Sequence, residues 1–280
     1  LDYLNTRPSR GVTPCHLDID QTGRYLCVAN YRGAEGGNVA MLPIGADGSL
    51  GAVTGFIQHY GSSQHPTRQT APHAHSANVD PSNNHVLVAD LGLDKVMIYE
   101  LDLVEGGLLP HETPWVATES GAGPRHLAYH PLGQYAYVIN ELNSTMIVYA
   151  YDPGTGTLRE LQVLSTLPPD YKGSNAPADV HVLPSGRFLY GSNRGHDSIV
   201  IYAIDAATGR LSLIGHEPTG GRNPRNFAID PAGEFLWAAN QDSDNIFTFC
   251  IDSATGELSP TGAVADVPRP VCLALYQRRS

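Results

Sequence analysis

Arg125 and Glu141 stand sixteen positions apart in the stretch GPRHLAYHPLGQYAYVINELNS, residues 123–144. A guanidinium can grip a carboxylate or phosphate with two parallel hydrogen bonds and can stabilise a developing oxyanion. A carboxylate can serve as general base toward water or toward a carbon acid. The intervening LAYHPLGQYAYVI reads as two short strands around a tight turn. Such a hairpin returns Glu141 to the end at which Arg125 begins. As a lone pair the two would be a structural salt bridge; a fold that gathers further polar groups beside them would make a site.

The elements that position them recur along the chain. The pattern opens as CHLDIDQTGRYLCVANY (15–31) and returns as HSANVDPSNNHVLVADL (75–91), RHLAYHPLGQYAYVINE (125–141), ADVHVLPSGRFLYGSNR (178–194) and RNFAIDPAGEFLWAANQ (225–241). The residue before each turn falls at 20, 80, 130, 183 and 230, spacings of 60, 50, 53 and 47. Each unit continues into a third apolar strand: NVAMLPI, KVMIYEL, MIVYAYD, IVIYAID and IFTFCID. A Gly-centred turn and a weaker fourth strand follow: DGSLGAVT, EGGLLPHE, GTGTLREL, ATGRLSLI and ATGELSPT. No amphipathic helix of more than about two turns is expected.

Four short strands per self-similar unit of about 45–50 residues predict an all-β fold, a β-propeller of four-stranded antiparallel blades. A sandwich needs no self-similar units, and a β-helix has shorter coils. Residues 1–280 read as a single propeller domain with full repeats beginning near 13, 73, 123, 176 and 223. Partial blades are expected at both ends: LDYLNT (1–6) as a last, outer strand and PVCLALY (270–276) as a first, inner strand. Six blades would require one of only two strands. A seven-bladed plan is expected instead, with an apparently truncated N-terminus lacking six strands, roughly 60–70 residues.

In this frame the repeat's first position holds Cys15, His75, Arg125, Ala178 and Arg225, and its last holds Tyr31, Leu91, Glu141, Arg194 and Gln241. The residue before the last is Asn30, Asp90, Asn140, Asn193 and Asn240, a near-constant Asx that predicts a side chain bonding turn backbone. The variable polar residues around it have no such explanation. Strands one and two form a hairpin, so both positions lie at one rim. Three consecutive blades are thereby expected to bring one imidazole (His75), two guanidinium groups (Arg125, Arg194) and one carboxylate (Glu141) to one mouth of a central channel. These groups suit hydrolysis of an ester or lactone in an anionic substrate, or a proton transfer beside a carboxylate. No Ser-His-Asp order or nucleophile elbow supports acyl-enzyme chemistry.

Composition narrows the partners. The formal net charge is −11, and no run of Lys and Arg offers a footprint for nucleic acid or an anionic membrane. No stretch approaches the ~18–20 apolar residues of a membrane span. The N-terminal LDYLNTRPSRG has neither the basic nor the apolar region of a signal peptide. The four cysteines include no CxxC pair, so zinc is not expected. Cys27, Cys250 and Cys272 read as buried strand residues, and a reduced, cytoplasmic setting is the simplest expectation. His73 and His75 lie two apart in PHAHS, but no third ligand accompanies them, so no metal is expected.

Over its whole length the chain resembles the seven-bladed lactonase propellers, the family of 6-phosphogluconolactonase that also includes the fungal muconate-lactonizing enzyme. The likeness is carried by HAHSANVDP, GAGPRHLAYHPLGQYAYVINELNS and ADVHVLPSGRFLYGSNR, the second of these being quite specific to the 6-phosphogluconolactonase branch. The resemblance implies catalytic positions at His75, Arg125, Glu141 and Arg194, polar substrate-binding positions at Arg225 and Gln241, no metal and no nucleotide cofactor. It implies hydrolysis of a small anionic lactone, 6-phospho-D-glucono-1,5-lactone in the pentose phosphate pathway, by a monomer or weak homo-oligomer. In the mechanism so implied, Glu141, alone or with His75, activates a water, Arg125 and Arg194 stabilise the oxyanion, and Arg225 or Arg194 holds the phosphate. Glu141 and His75 could exchange roles. The competing readings are muconate-type lactonizing chemistry, hydrolysis of another lactone, and a non-catalytic propeller binding module.

Overall fold

The computed structural model describes residues 2–33 and 37–276. Twenty strands and no helix occur among them, in five four-stranded antiparallel sheets of consecutive strands. The first sheet is β1 (Val12–Ile19), β2 (Tyr25–Arg32), β3 (Asn38–Pro43) and β4 (Gly55–Gln58). The second is β5 (Ala74–Val79), β6 (His85–Asp90), β7 (Lys95–Asp102) and β8 (Gly107–Ala117). The third is β9 (Pro124–Tyr129), β10 (Tyr135–Asn140), β11 (Thr145–Asp152) and β12 (Thr157–Ser165). The fourth is β13 (Ala176–Val182), β14 (Phe188–Arg194), β15 (Ser198–Ile204) and β16 (Leu211–Pro218). The fifth is β17 (Pro224–Ile229), β18 (Phe235–Asn240), β19 (Asn245–Ile251) and β20 (Leu258–Asp266).

In four of the five sheets the turn joining the first two strands is closed by the side chain of its leading residue; in the fourth that residue is Leu183, and backbone bonds close the turn. Asp20, Asp80 and Asp230 each accept three backbone N–H groups, at two, four and five residues further on. A carboxylate in this place satisfies donors that the hairpin would otherwise leave open. His130 stands at the same place in the third sheet and uses its Nδ1 to accept from Leu132 N at 3.2 Å.

The chain forms two compact units, residues 1–129 with 151–159, and residues 130–150 with 160–280. In the first unit Cys27, Met41, Val79, Val86, Val88 and Leu108 join one apolar cluster of the first and second sheets. In the second unit Phe188, Tyr190, Ile201, Phe227, Leu236 and Phe249 do the same for the fourth and fifth. Sheets covered on both faces need strands without polar alternation, and every residue of β6 is buried. Tyrosines fasten one sheet to the next at their tips. Tyr137 donates its hydroxyl to Gly209 O at 3.1 Å, and Tyr190, one repeat later, donates to Gly256 O at 2.9 Å. Gly209 and Gly256 turn the chain between the third and fourth strands at φ +68° and +77°, a region open to glycine.

Four expectations are corrected. DGSLGAVT (47–54) is not the first sheet's fourth strand, which begins only at Gly55. The segment folds back on itself through a single bridge between Ile44 and Leu50. Both backbone groups of Leu50 are then taken by the Asn5 side chain, at 2.7 and 2.9 Å. The end segments are not strands over residues 2–6 and 270–276, and Leu1 lies outside the described residues. In each case a side-chain amide replaces a ladder: Asn5 binds Leu50, and Asn226 Oδ1 accepts Leu273 N at 2.6 Å. Cys250 lies on β19 but faces outward, because β19 alternates here and Phe249 and Ile251 take the covered face. Cys272 is also exposed and lies on no strand, whereas Cys27 is fully buried as expected.

Candidate active site

In the first, second, fourth and fifth sheets the repeat's first position falls at a β-bulge. Along β5 and β6 the pairs Ala74↔Asp90 and Ser76↔Ala89 leave His75 without a partner across the ladder. The same break leaves Cys15 between Pro14↔Asn30 and His16↔Ala29, and Arg225 between Pro224↔Asn240 and Asn226↔Ala239. In the fourth sheet Ala178 and Asp179 together face Ser192. A bulge inserts one residue, bends the strand and re-aims a side chain. The residues singled out by comparing repeats are thus, in these sheets, the ones the backbone turns out of the regular alternation.

In the first unit His75 is buried (4% exposed). Its ring stands edge-on to Tyr31 at 5.5 Å and to His126 at 5.3 Å. Tyr31 also stacks on His73 at 4.3 Å, nearly parallel, and accepts a hydrogen bond at its carbonyl from His73 Nδ1 at 2.8 Å. Arg125, the second residue of β9, is 2% exposed and ranks among the largest fully buried side chains. Its guanidinium cannot shed its charge, so a permanent cation sits inside the protein.

In the second unit Glu141 follows the last residue of β10 and is 4% exposed. Arg194 Nη2 donates to Glu141 Oε2 at 2.8 Å. Arg194 Nε donates to Ala176 O at 2.8 Å and Nη2 reaches Pro177 O at 3.3 Å. The bulged start of β13 therefore holds the guanidinium that holds the carboxylate. Arg225 is half-buried in its bulge. Gln241 is tied by its backbone N–H to Asn223 O at 3.0 Å, and its Oε1 is buried and accepts no hydrogen bond.

The near-constant Asx does what its type foretells. Asn193 Nδ2 donates to Thr166 O at 2.7 Å and Asn240 Nδ2 to Thr219 O at 2.9 Å, pinning the segments that lead into the next sheet. Asp90 departs from the pattern. Its Oδ1 accepts His73 N and Gly92 N at 2.7 and 3.0 Å, and its Oδ2 lies 2.6 Å from His59 Nδ1. His59 Nε2 is 2.9 Å from the Tyr99 hydroxyl. The set is satisfied when Nδ1–H donates to Asp90 and Tyr99 donates to Nε2. Burial, and then the Asp90 charge, push the Tyr99 hydroxyl far above its ordinary pKa, so it stays a donor.

Asp94 is a second group that comparing repeats did not single out. It is buried at φ +53° and accepts four hydrogen bonds: Gln69 Nε2 (2.7 Å) and Gly123 N (2.7 Å) at Oδ1, Ser63 Oγ (2.5 Å) and Gly121 N (2.7 Å) at Oδ2. Gly121 and Gly123 lie in GAGPR, the segment that delivers Arg125. The device recurs: Asp197 accepts Asn223 N ahead of Arg225, and Asp244 accepts Arg269 N. Its sequence signal was a polar residue shortly before each third strand. Among the described residues no three His, Cys, Asp or Glu side chains are grouped to hold a metal ion.

Consecutive four-stranded antiparallel sheets, built on one repeat with a bulge at its start, define a β-propeller. The chain belongs to the family described as Lactonase, 7-bladed beta-propeller, which it matches over residues 1–275. It is 38% identical over 221 residues to a 6-phosphogluconolactonase of Bacillus subtilis, an alignment covering 79% of this chain and 61% of that one. It is 39% identical over 207 residues to a 6-phosphogluconolactonase of Serratia proteamaculans, covering 74% and 58%. The chain thus spans about three-fifths of the length of these curated relatives. Among solved structures, the periplasmic gluconolactonase PpgL of Pseudomonas aeruginosa superposes with a TM-score of 0.90 at 36% identity, covering 96% of this chain and 74% of that one.

Proposed function

We propose that this chain hydrolyses a sugar lactone, opening 6-phospho-D-glucono-1,5-lactone to 6-phosphogluconate in the pentose phosphate pathway. The observation that carries the reading is the Glu141–Arg194 pair: a buried carboxylate held at 2.8 Å by a guanidinium that backbone carbonyls fix in turn. A base oriented in this way suits activation of water without a covalent intermediate. Family membership and the names of the two relatives support the substrate class.

Glu141 takes a proton from water as the water oxygen adds to the lactone carbonyl. Arg125 stabilises the tetrahedral oxyanion, with Arg194 keeping Glu141 in place. The bond between the carbonyl carbon and the ring oxygen then breaks. His75 delivers a proton to the departing oxygen, and the new carboxylic acid ionises. Arg225 and Gln241 bind substrate, and the open acceptor Gln241 Oε1 suits a sugar hydroxyl. The protein works as a monomer or weak homo-oligomer on this small anionic substrate.

Hydrolysis of unphosphorylated gluconolactone is the second reading, favoured by the name of the Pseudomonas relative. A cytoplasmic setting is supported by the four cysteines, none of which forms a disulfide. Proton release at constant pH, with spontaneous hydrolysis subtracted, tests the proposal on both lactones. Glu141→Gln and Arg125→Ala are each expected to lower kcat at least about 100-fold. Wild-type-like rates in both variants would overturn the assignment.

A further inference from the structure

Tyr31 lies near the end of β2, at the place where the third and fourth repeats carry Glu141 and Arg194. The proposed reaction gives it no part. It is half-buried, and one neighbour holds it twice. Its carbonyl accepts His73 Nδ1–H at 2.8 Å, and its ring lies nearly parallel to the His73 ring at 4.3 Å. His73 is anchored from the core in turn. Asp90 Oδ1 accepts His73 N at 2.7 Å, and Leu91 N donates to His73 O at 3.0 Å. Asp90 Oδ2 lies 2.6 Å from His59 Nδ1, and His59 Nε2 lies 2.9 Å from the Tyr99 hydroxyl; all three residues are buried. The other repeats place Asn30, Asn140, Asn193 and Asn240 where this one has Asp90. An ionised carboxylate only accepts hydrogen bonds, and here it spends that capacity on the backbone of His73 and Gly92 and on His59.

The ring so fixed stands edge-on to His75, with centroids 5.5 Å apart and planes at 79°. From β9, His126 meets the same imidazole at 5.3 Å and 62°. His75 thus has a ring from the first sheet and a ring from the third beside it. The χ2 torsion of a histidine is broad, and a hydrogen bond at a ring nitrogen leaves the imidazole able to swing about that bond. Aromatic neighbours restrict that swing, because aromatic pairs prefer edge-to-face or offset geometry. The contact of Tyr31 with His75 therefore bears on the plane of the imidazole, whatever bonds its nitrogens make.

We propose that Tyr31 is a positioning residue for the candidate catalytic imidazole of His75, with His73 as the clamp on its ring and Asp90, set by His59, as the anchor of that clamp. This rests on the lactonase reading above, in which His75 delivers a proton to the departing ring oxygen. Delivery needs the donating nitrogen within hydrogen-bond reach of that oxygen, and a small rotation of the imidazole removes it. Tyr31 therefore acts on kcat through His75 and leaves substrate binding largely as it is.

The test uses the purified chain with Tyr31→Leu, Tyr31→Phe and His73→Gln, alone and combined with His75→Gln, each checked for a wild-type melting temperature. Tyr31→Leu keeps apolar volume but loses the flat ring. It is expected to lower kcat for lactone hydrolysis about tenfold, with KM within about threefold of wild type. Tyr31→Phe keeps the ring and drops only the hydroxyl, which accepts Arg68 Nη2 at 3.3 Å, so it should recover most of the loss. His73→Gln should fall between the two. In the His75→Gln background Tyr31→Leu should cost less than about twofold more, because the ring it positions is gone. The proposal is overturned by a kcat within about twofold of wild type in Tyr31→Leu, by the same tenfold cost in the His75→Gln background, or by Tyr31→Phe doing no better than Tyr31→Leu. The second readout needs no turnover. In protein labelled with carbon-13 histidine, the ring resonance that His75→Gln abolishes should move in Tyr31→Leu and stay near its place in Tyr31→Phe. If the wild type opens neither lactone while the resonance behaves in this way, the hydrolytic reading fails and the hold of Tyr31 on His75 stands. A resonance unmoved in Tyr31→Leu overturns that hold.

Discussion

Arg194 Nη2 donates to Glu141 Oε2 at 2.8 Å while Arg194 Nε is held by Ala176 O. One guanidinium thus ties the carboxylate just beyond β10 to the bulged start of β13. Lysine keeps the charge but gathers its three donors on one nitrogen, which cannot stand at the separate places of Arg194 Nε and Nη2. Under the proposed function, Arg194→Lys is expected to lower kcat for lactone hydrolysis at least about tenfold. Arg194→Ala removes the cation altogether, so the acid limb of the pH–rate profile should move to higher pH. A limb that stays in place would separate Glu141 from proton transfer.

Asp94 accepts four hydrogen bonds, two of them from the segment that delivers Arg125. Replacing it by alanine orphans buried donors, and asparagine presents two hydrogens where acceptors are needed. Urea unfolding should show Asp94→Ala less stable by about 2–4 kcal/mol, with Asp94→Asn only partly better. A loss below about 0.5 kcal/mol for both would mean that the donors find other partners.

Two histidines make stability depend on pH. Burial lowers the affinity of His85 for a proton, against an opposing pull from Asp80; Glu100 and Asp152 also favour the proton and His111 disfavours it. Burial likewise lowers that of His216, with Thr166 opposing and His196 reinforcing. The unfolded chain therefore binds more protons as pH falls through about 6.5. The contribution of both residues is complete above that pH and declines below it. His181 acts with the opposite sign: burial alone would lower its proton affinity, but Asp179, 3.1 Å away, raises it. Urea midpoints from pH 8 to pH 5 should fall for the wild type and fall less steeply for His85→Gln.

Thiol chemistry should separate the cysteines. Burial, with Asp18 and Asp20 nearby, pushes the Cys27 thiol up to about 12, whereas Cys250 and Cys272 are exposed. In the folded protein at pH 8 a thiol reagent should modify Cys250 promptly and leave Cys27 untouched until unfolding. Burial also raises the Cys272 thiol, with Asp179 adding to the shift, so its modification should be slower than that of Cys250.

Tyr190→Phe removes one hydroxyl bonded to Gly256 O at 2.9 Å in a buried setting. The expected cost is about 1 kcal/mol with kcat unchanged, read from paired urea melts and rate assays.

The sheets were legible because their period is written in the chain: a turn residue at 20, 80, 130, 183 and 230, with apolar runs after it. Hydrophobic pattern could not show where the ladder slips. His75 and Arg225 look like ordinary strand residues until the register is known. Comparing repeats still found them, because their types vary while the framework does not. The Asp90–His59–Tyr99 chain was missed because His59 lies outside the repeated unit and Asp90 passes for one more Asx. The misplaced fourth strand at 47–54 and the outward Cys250 share one cause. Both depend on which face or segment a neighbour already occupies, and a single strand's composition is silent about that.

A residue at a bulge has no opposite number across the ladder, so no cross-strand neighbour sets its size or charge. Cys15, His75 and Arg225 occupy the same backbone socket in three different sheets. Each is re-aimed by the same backbone device, while the side chain it carries differs from sheet to sheet. One repeated backbone irregularity thus presents a thiol, an imidazole and a guanidinium in three different sheets of a common frame.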